Sequence, residues 1–161
     1  MHKIGAIGIL IILGFILDTI AVFTTGWIEV SVVAIKNYYY GISPFQSGSK
    51  PTWFNVASWL MFISFILALV QILAFLHALS RIRNCGCSHS IRHSFNLITS
   101  ISAIISIFIF VAFILTAANL KSFLGYADAS LGYSSFIALA AAILIIIAGG
   151  LSQHVRHFDC C

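Results

Sequence analysis

The chain has 161 residues, of which 61% are hydrophobic and 7% charged, and its mean hydropathy is +1.09. Soluble domains carry about 25% charged residues, so water cannot solvate this surface and lipid can. The net charge of +4 lacks the clustered Lys/Arg with interleaved aromatics that nucleic acid requires; that partner class is excluded, and charge is left as a determinant of membrane orientation.

Four apolar runs, at about 4–24, 57–79, 97–119 and 131–151, are each long enough for a hydrocarbon core of about 30 Å, which takes about 20 helical residues. Continuous rather than alternating hydrophobicity predicts helices and not barrel strands. No Gly/Pro linker divides the chain, so the prediction is an all-α membrane protein with one domain, a four-transmembrane-helix bundle over 1–161. His2 and Lys3 also suit the n-region of a cleaved signal peptide, but the run behind them is long for one, and an uncleaved first span is predicted.

Lys3, Arg81, Arg83, Arg92 and Arg156 fall at the N-terminus, in the 80–96 loop and in the tail 152–161, whereas Lys36, Lys50 and Lys121 fall in the other two loops. Basic residues stay cytoplasmic. Both termini and the 80–96 loop are therefore predicted inside, and loops 25–56 and 120–130 outside, in the plasma membrane. Trp27, Trp53, Tyr126 and Tyr133 sit where the runs meet the outer surface, the level amphipathic rings prefer.

The first outer loop begins as the first run leaves the bilayer. Trp27–Ile35 is rich in β-branched residues and partly alternates, which puts Ile28, Val30, Val32 and Ala34 on one face. Lys36-Asn37 is predicted to turn the chain into a second strand, Tyr38–Ile42, with further turns at Ser43-Pro44 and Ser47–Pro51. A small antiparallel β-sheet from the first extracellular loop follows; its Tyr and Val content argues against a disordered loop. Trp27, Tyr38, Tyr39, Tyr40, Ile42 and Phe45 form a candidate extracellular contact patch, since aromatics favour interfaces. The 120–130 loop is too short for a domain.

Asp18 interrupts the first run. A carboxylate in a spanning helix costs about 2.5–3.5 kcal/mol on insertion scales, so it normally has a partner. Ser64 and Thr116 fall at a similar depth, and Asp18, Ser64 and Thr116 are predicted to form an intramembrane polar anchor between helices or towards a partner subunit. Two alternatives stand beside it: Asp18 reaching to the outer interface, and an ion or proton pathway. A pathway needs a second ionisable group in the membrane, and His77, the sole candidate, lies near the opposite face.

Small and hydroxyl residues recur at helical spacing, which lets helices approach closely. They are Thr99, Ser102, Ala103 and Ser106 on the third run, Ala138, Ala142 and Ala148-Gly-Gly150 on the fourth, and Gly5, Gly8 and Gly14 on the first; Ser64 and Gln71 share a face of the second. Ser102, Ser106, Ala138 and Ala142 are the predicted helix-packing positions, with a partner-binding face as the alternative use.

Cys85, Cys87, Cys160 and Cys161 are all predicted cytoplasmic, where structural disulfides are disfavoured. Their closeness to helix ends and basic residues makes them candidate S-acylation sites. Cys85, Cys87, His89 and His93 also offer zinc ligands, but C-x-C is not a common structural-zinc spacing, so no metal or cofactor is predicted. The ending is not a prenylation box, and no Asn-x-Ser/Thr sequon occurs. With no nucleophile–base arrangement, phosphate loop or paired acids, catalysis is not predicted.

The segments Phe23-Thr-Thr-Gly-Trp27 and Leu131-Gly-Tyr-Ser-Ser-Phe-Ile137, within four spans and a β-rich first loop, resemble the claudin / peripheral myelin protein / epithelial membrane protein superfamily. The likeness covers essentially the whole chain; Phe-Thr-x-Gly-Trp is also similar to invertebrate claudin-like proteins. Tyr40-Gly41-Ile42 stands where the family has Gly-Leu-Trp. The outer disulfide is absent, because neither outer loop contains Cys. The ending Asp159-Cys-Cys161 lacks the hydrophobic ligand through which claudins dock scaffold domains. The resemblance implies a non-enzymatic tetraspan protein that organises membrane or cell–cell contacts through lateral and loop-mediated association, with itself or with a membrane protein partner. Its gamma-subunit branch implies the alternative, an auxiliary subunit of an ion channel or receptor that modulates gating or trafficking.

Overall fold

The computed structural model describes residues 2–32, 36–42, 44–45, 51–85, 89–120 and 128–158. Four helices, α1 (His2–Phe23), α2 (Thr52–Cys85), α3 (His89–Ala118) and α4 (Tyr133–Phe158), surround the core, and strands β1 (Ile28–Val32), β2 (Lys36–Tyr40) and β3 (Asp128–Leu131) cap one end. All four helices are long and apolar enough to cross a membrane.

The helices overrun the apolar runs. The 80–96 segment, expected as a loop, is helical up to Cys85 and again from His89. The expected tail is helical to Phe158, and α2 starts at Thr52 rather than 57, directly after Pro51, whose carbonyl accepts from the Phe54 and Asn55 amides. The cause is general: hydropathy marks where lipid ends, whereas a helix continues into water as long as its backbone bonds are satisfied. With 34 residues, α2 is about 51 Å long and exceeds a hydrocarbon core of about 30 Å.

α1 packs chiefly on α4, α4 on α3 and α3 on α2, with a smaller α1–α2 contact closing the ring. The buried stripes follow heptad-like spacing. On α1 they run through Ile7, Ile11, Asp18 and Val22; on α4 through Ser134, Ala138, Ala141, Ala142, Ile145 and Ala148. Ile9, Ile12 and Ile16 of α1 and Phe136, Ile143 and Ile147 of α4 face outward. Small and hydroxyl residues inside with bulky hydrocarbon outside is the arrangement lipid favours, because association there depends on close backbone approach and not on water exclusion.

The sheet has the order β2-β1-β3, antiparallel throughout. Ile28 pairs with both Tyr40 and Leu131, and Glu29 with Tyr39 and Ser130. Two sequence expectations change here. Lys36 and Asn37 lie inside β2, opposite Val32 and Ser31, and not in a turn. The second loop at this end of the bundle also contributes a strand, β3, so the sheet draws on both loops. The buried Ile28 and Val30 join Ile42, Phe54 and Ala57 in one core cluster that continues down into the bundle. Ala34, Ser43, Ser47, Lys50, Lys121 and Tyr126 lie outside the described residues.

Candidate functional site: the sheet cap and the polar seam beneath it

The cap is locked where α1 ends and α4 begins. The last four carbonyls of a helix have no intrahelical partner. At the end of α1 the Ile20 carbonyl accepts from the Thr24 amide at 3.0 Å and the Thr24 hydroxyl at 2.7 Å, while the Ala21 carbonyl accepts from the Trp27 indole at 2.6 Å. Across the gap, the Thr24 and Ser134 hydroxyls are 2.6 Å apart. The Ser134 amide donates to the Gly26 carbonyl and the Gly132 amide to the Trp27 carbonyl, both at 2.9 Å.

Glycine is required at position 132, where backbone meets backbone, and Gly26 packs closely against a side chain. A Cβ on Gly132 would overlap the Gly26 carbonyl, and one on Gly26 would overlap the Tyr133 ring. The Ser135 hydroxyl closes the start of α4 by donating to the Gly132 carbonyl at 2.6 Å. Phe23–Trp27 and Leu131–Ile137, a hundred residues apart in sequence, thus form one interlocked structure.

Trp27 and Ile42 are fully buried, which corrects their placement in a surface contact patch. The Trp27 ring is buried in the core cluster with Ile28 and Val30 and not presented at a surface, and its N–H serves α1. Tyr38, Tyr39 and Tyr40 are 52%, 49% and 37% exposed, but they do not share one face. Side chains alternate along a strand, and Tyr39 lies opposite Glu29, whose Oε1 accepts from its hydroxyl at 3.2 Å. Tyr38 and Tyr40 lie opposite the buried Val30 and Ile28. They are exposed because β2 is an edge strand. Phe45, 70% exposed, packs instead on α2, edge-on to Phe62 with ring centroids 5.2 Å apart and to Trp59 at 6.5 Å.

Below the cap, Asp18 and Ser64 meet across the α1–α2 seam, both fully buried, with the Ser64 hydroxyl 3.3 and 3.4 Å from the two carboxyl oxygens. The same hydroxyl is 2.7 Å from the Met61 carbonyl, so its single proton has competing acceptors. Thr116 is not brought to them; its hydroxyl donates to the Ala112 carbonyl at 2.9 Å. Deeper in the bundle Gln71 donates to the Ser102 hydroxyl at 2.9 Å. The Ser106 hydroxyl lies 3.3 Å from the Ala142 carbonyl, and that of Thr99 lies 3.1 Å from the Gly149 carbonyl. Gly149 admits Ser102 so closely that an added Cβ would stand 2.9 Å from the serine Cβ. Ala138 and Ala142 are buried on the same side of α4.

Cys85 ends α2, and Cys87, Cys160 and Cys161 lie outside the described residues. Among the described residues no three His, Cys, Asp or Glu side chains gather into a metal-binding group.

Four apolar helices under a sheet fed by two loops at one end of the bundle agree with what a family comparison finds: the profile described as "Tight junction protein, Claudin-like" matches residues 1–161. The chain belongs to the claudin-like family. It is accordingly a tight-junction-like tetraspan protein, integral to the membrane, in a family that is generally non-enzymatic and implies self-association. No curated protein matches the chain.

Within this claudin-like framework, sequence reasoning singled out Trp27, Asp18 and Ser64 but not the lock formed by Thr24, Gly26, Gly132, Tyr133 and Ser134. The available signal was the pair of glycines at the ends of two apolar runs, each followed by an aromatic residue. Gln71 was noted only for sharing a face with Ser64, and the structure gives it Ser102 as partner.

Proposed function

We propose that this claudin-like protein organises membrane or cell–cell contacts in the plasma membrane, with both termini cytoplasmic and no enzymatic activity. It associates laterally with copies of itself, and its edge strand β2 meets a neighbouring protein through Tyr38, Tyr39 and Tyr40. One observation carries this reading: three consecutive tyrosines are exposed on an edge strand, where aromatic side chains supply large contact area at low entropic cost. The strand is held along its inner side by β1, whose Ile28 and Val30 are buried, so the tyrosines are presented on a supported edge. The polar helix positions serve the bundle: Asp18, Ser64, Ser102, Ser106, Ala138 and Ala142 are buried within the chain. A channel- or receptor-auxiliary role that used these residues for lateral docking would need them on the outside.

The test is contact enrichment of the tagged full-length protein in cells lacking endogenous junctions, wild type against Tyr38→Ala/Tyr39→Ala/Tyr40→Ala. The proposal expects the triple variant to reach the surface at wild-type levels and lose enrichment where two expressing cells touch. Unchanged enrichment removes the tyrosines from the role. Recovery of a stoichiometric channel or receptor in mild detergent supports the auxiliary reading instead. Impermeant labelling of tags at either end tests the orientation.

A further inference from the structure

The bundle end opposite the cap has an uneven charge. Lys3, Arg81, Arg83, Arg92 and Arg156 all lie in end turns of the helices there, and all six histidines (His2, His77, His89, His93, His154 and His157) fall in the same region. Of the four acidic residues, Asp18 lies in the outer half of α1, Glu29 and Asp128 lie in the sheet, and Asp159 alone neighbours the basic end in sequence.

Within this end Arg81 stands about one turn before the last residue of α2 and Arg92 about one turn after the first residue of α3. The two helices pack against each other, so these arginines occupy matching levels on neighbouring rods. That level is a boundary, because the apolar runs end at about Leu79 and begin again at about Leu97, just inside the two arginines. Arg81 is exposed, whereas Arg92 is half-buried, and its Nε is a buried donor without a hydrogen-bond partner among the described residues. A buried unsatisfied donor is costly, and a guanidinium fork is shaped for two oxygens of a phosphate. Towards the bilayer centre from these arginines, Leu73 and Leu76 on α2 and Leu97 on α3 are exposed, so hydrocarbon attached to that phosphate has apolar surface to lie on.

We propose that Arg92 and Arg81 together bind the phosphate of a net-negative phospholipid headgroup, with its acyl chains along the exposed leucines of α2 and α3. The leucines decide for a lipid over a free anion, and the scarcity of acids at this end decides for a headgroup with net charge over a zwitterionic one. The inference does not rest on the contact role of the cap.

The experiment uses the full-length protein in neutral detergent and measures the unfolding midpoint against added phosphatidylserine, phosphatidylcholine of the same acyl chains, and inorganic phosphate. Phosphatidylserine is expected to raise the midpoint saturably, and the other two to leave it unchanged. A basic residue near an anionic surface contributes about 1 kcal/mol, so Arg81→Gln and Arg92→Gln should each weaken the apparent affinity about fivefold. Arg92→Lys keeps the charge and removes the Nε donor, and it should bind measurably more weakly than wild type. If Arg92→Gln does not fold, Arg81→Gln and Arg92→Lys carry the comparison. Equal shifts with phosphatidylcholine, a shift with inorganic phosphate alone, or wild-type affinity in Arg81→Gln and Arg92→Lys would each overturn the proposal.

Discussion

Gly132 lies so close to Gly26 that a Cβ on Gly132 would overlap the Gly26 carbonyl oxygen and stand 2.7 Å from its carbon. Two backbones meet there, and backbone cannot swing aside as a flexible side chain can. Gly132→Ala must therefore separate β3 and the start of α4 from the end of α1, at a cost at the upper end of the about 1–3 kcal/mol typical of overpacking. Gly150→Ala is the matched control, because a Cβ at Gly150 meets nothing within 4 Å and alanine in a helix gains about 0.5–1 kcal/mol over glycine. Thermal unfolding in detergent should show Gly132→Ala below wild type and Gly150→Ala at or above it. The reverse order removes the junction as a structural lock.

Trp27 ties the sheet to α1 through the Ala21 carbonyl at 2.6 Å. Trp27→Phe keeps most of the buried ring and leaves that carbonyl without its donor, a loss of about 1–3 kcal/mol. Trp27→Ala also opens a cavity and should cost about 3–5 kcal/mol. Unfolding midpoints that do not separate wild type, Trp27→Phe and Trp27→Ala in that order would show that the indole N–H contributes nothing.

Parts of this architecture were legible in sequence for definable reasons. Spanning helices are written in long apolar runs, and β1 in the alternation of Ile28 and Val30, because both signals report burial directly. β3 was not legible: Asp128-Ala-Ser-Leu131 has no β-branched or aromatic residue, and such a segment pairs only because β1 offers an edge and Gly132 permits the approach. The helices extend past the apolar runs because Arg81, Arg83 and Arg92 interrupt the hydropathy and leave helix formation unaffected. Trp27 was placed at the surface because an aromatic at a span end is read as an interfacial anchor, a rule that carries no information on whether a sheet covers it. Asp18 with Ser64 was suggested by depth alone; Thr116 matched equally in depth and went elsewhere, since depth along the membrane says nothing about which way a helix faces.

The cap should be indifferent to reductant. The four cysteines are Cys85, Cys87, Cys160 and Cys161, none in the segments that build the sheet, whose links are backbone pairing, the Trp27 indole and the Gly26–Gly132 junction. Closing a loop of about 15 residues with a disulfide typically contributes about 3 kcal/mol, and here no such contribution is available to be lost. The unfolding midpoint of the full-length protein should be the same with and without dithiothreitol. A drop on reduction would mean that these cysteines are cross-linked and hold the bundle together.

Asp18 and Ser64 offer a sharper test, because each is the other's partner across the smallest of the four helix contacts. Ser64→Ala leaves a buried carboxyl without this donor and should cost about 1–3 kcal/mol. Asp18→Leu removes the polar group that needed satisfying, at the risk of overpacking the seam. With Asp18 already leucine, deleting the Ser64 hydroxyl should cost far less, since its bond to the Met61 carbonyl is lost equally in either background and no carboxyl remains to be orphaned. A double-mutant cycle on unfolding free energies should therefore give a coupling of about 0.5–3 kcal/mol, the range seen for residues in direct contact. Additivity within about 0.5 kcal/mol, the behaviour of distant sites, would mean that the two groups are neighbours without interacting and that the α1–α2 seam is held by its hydrocarbon alone.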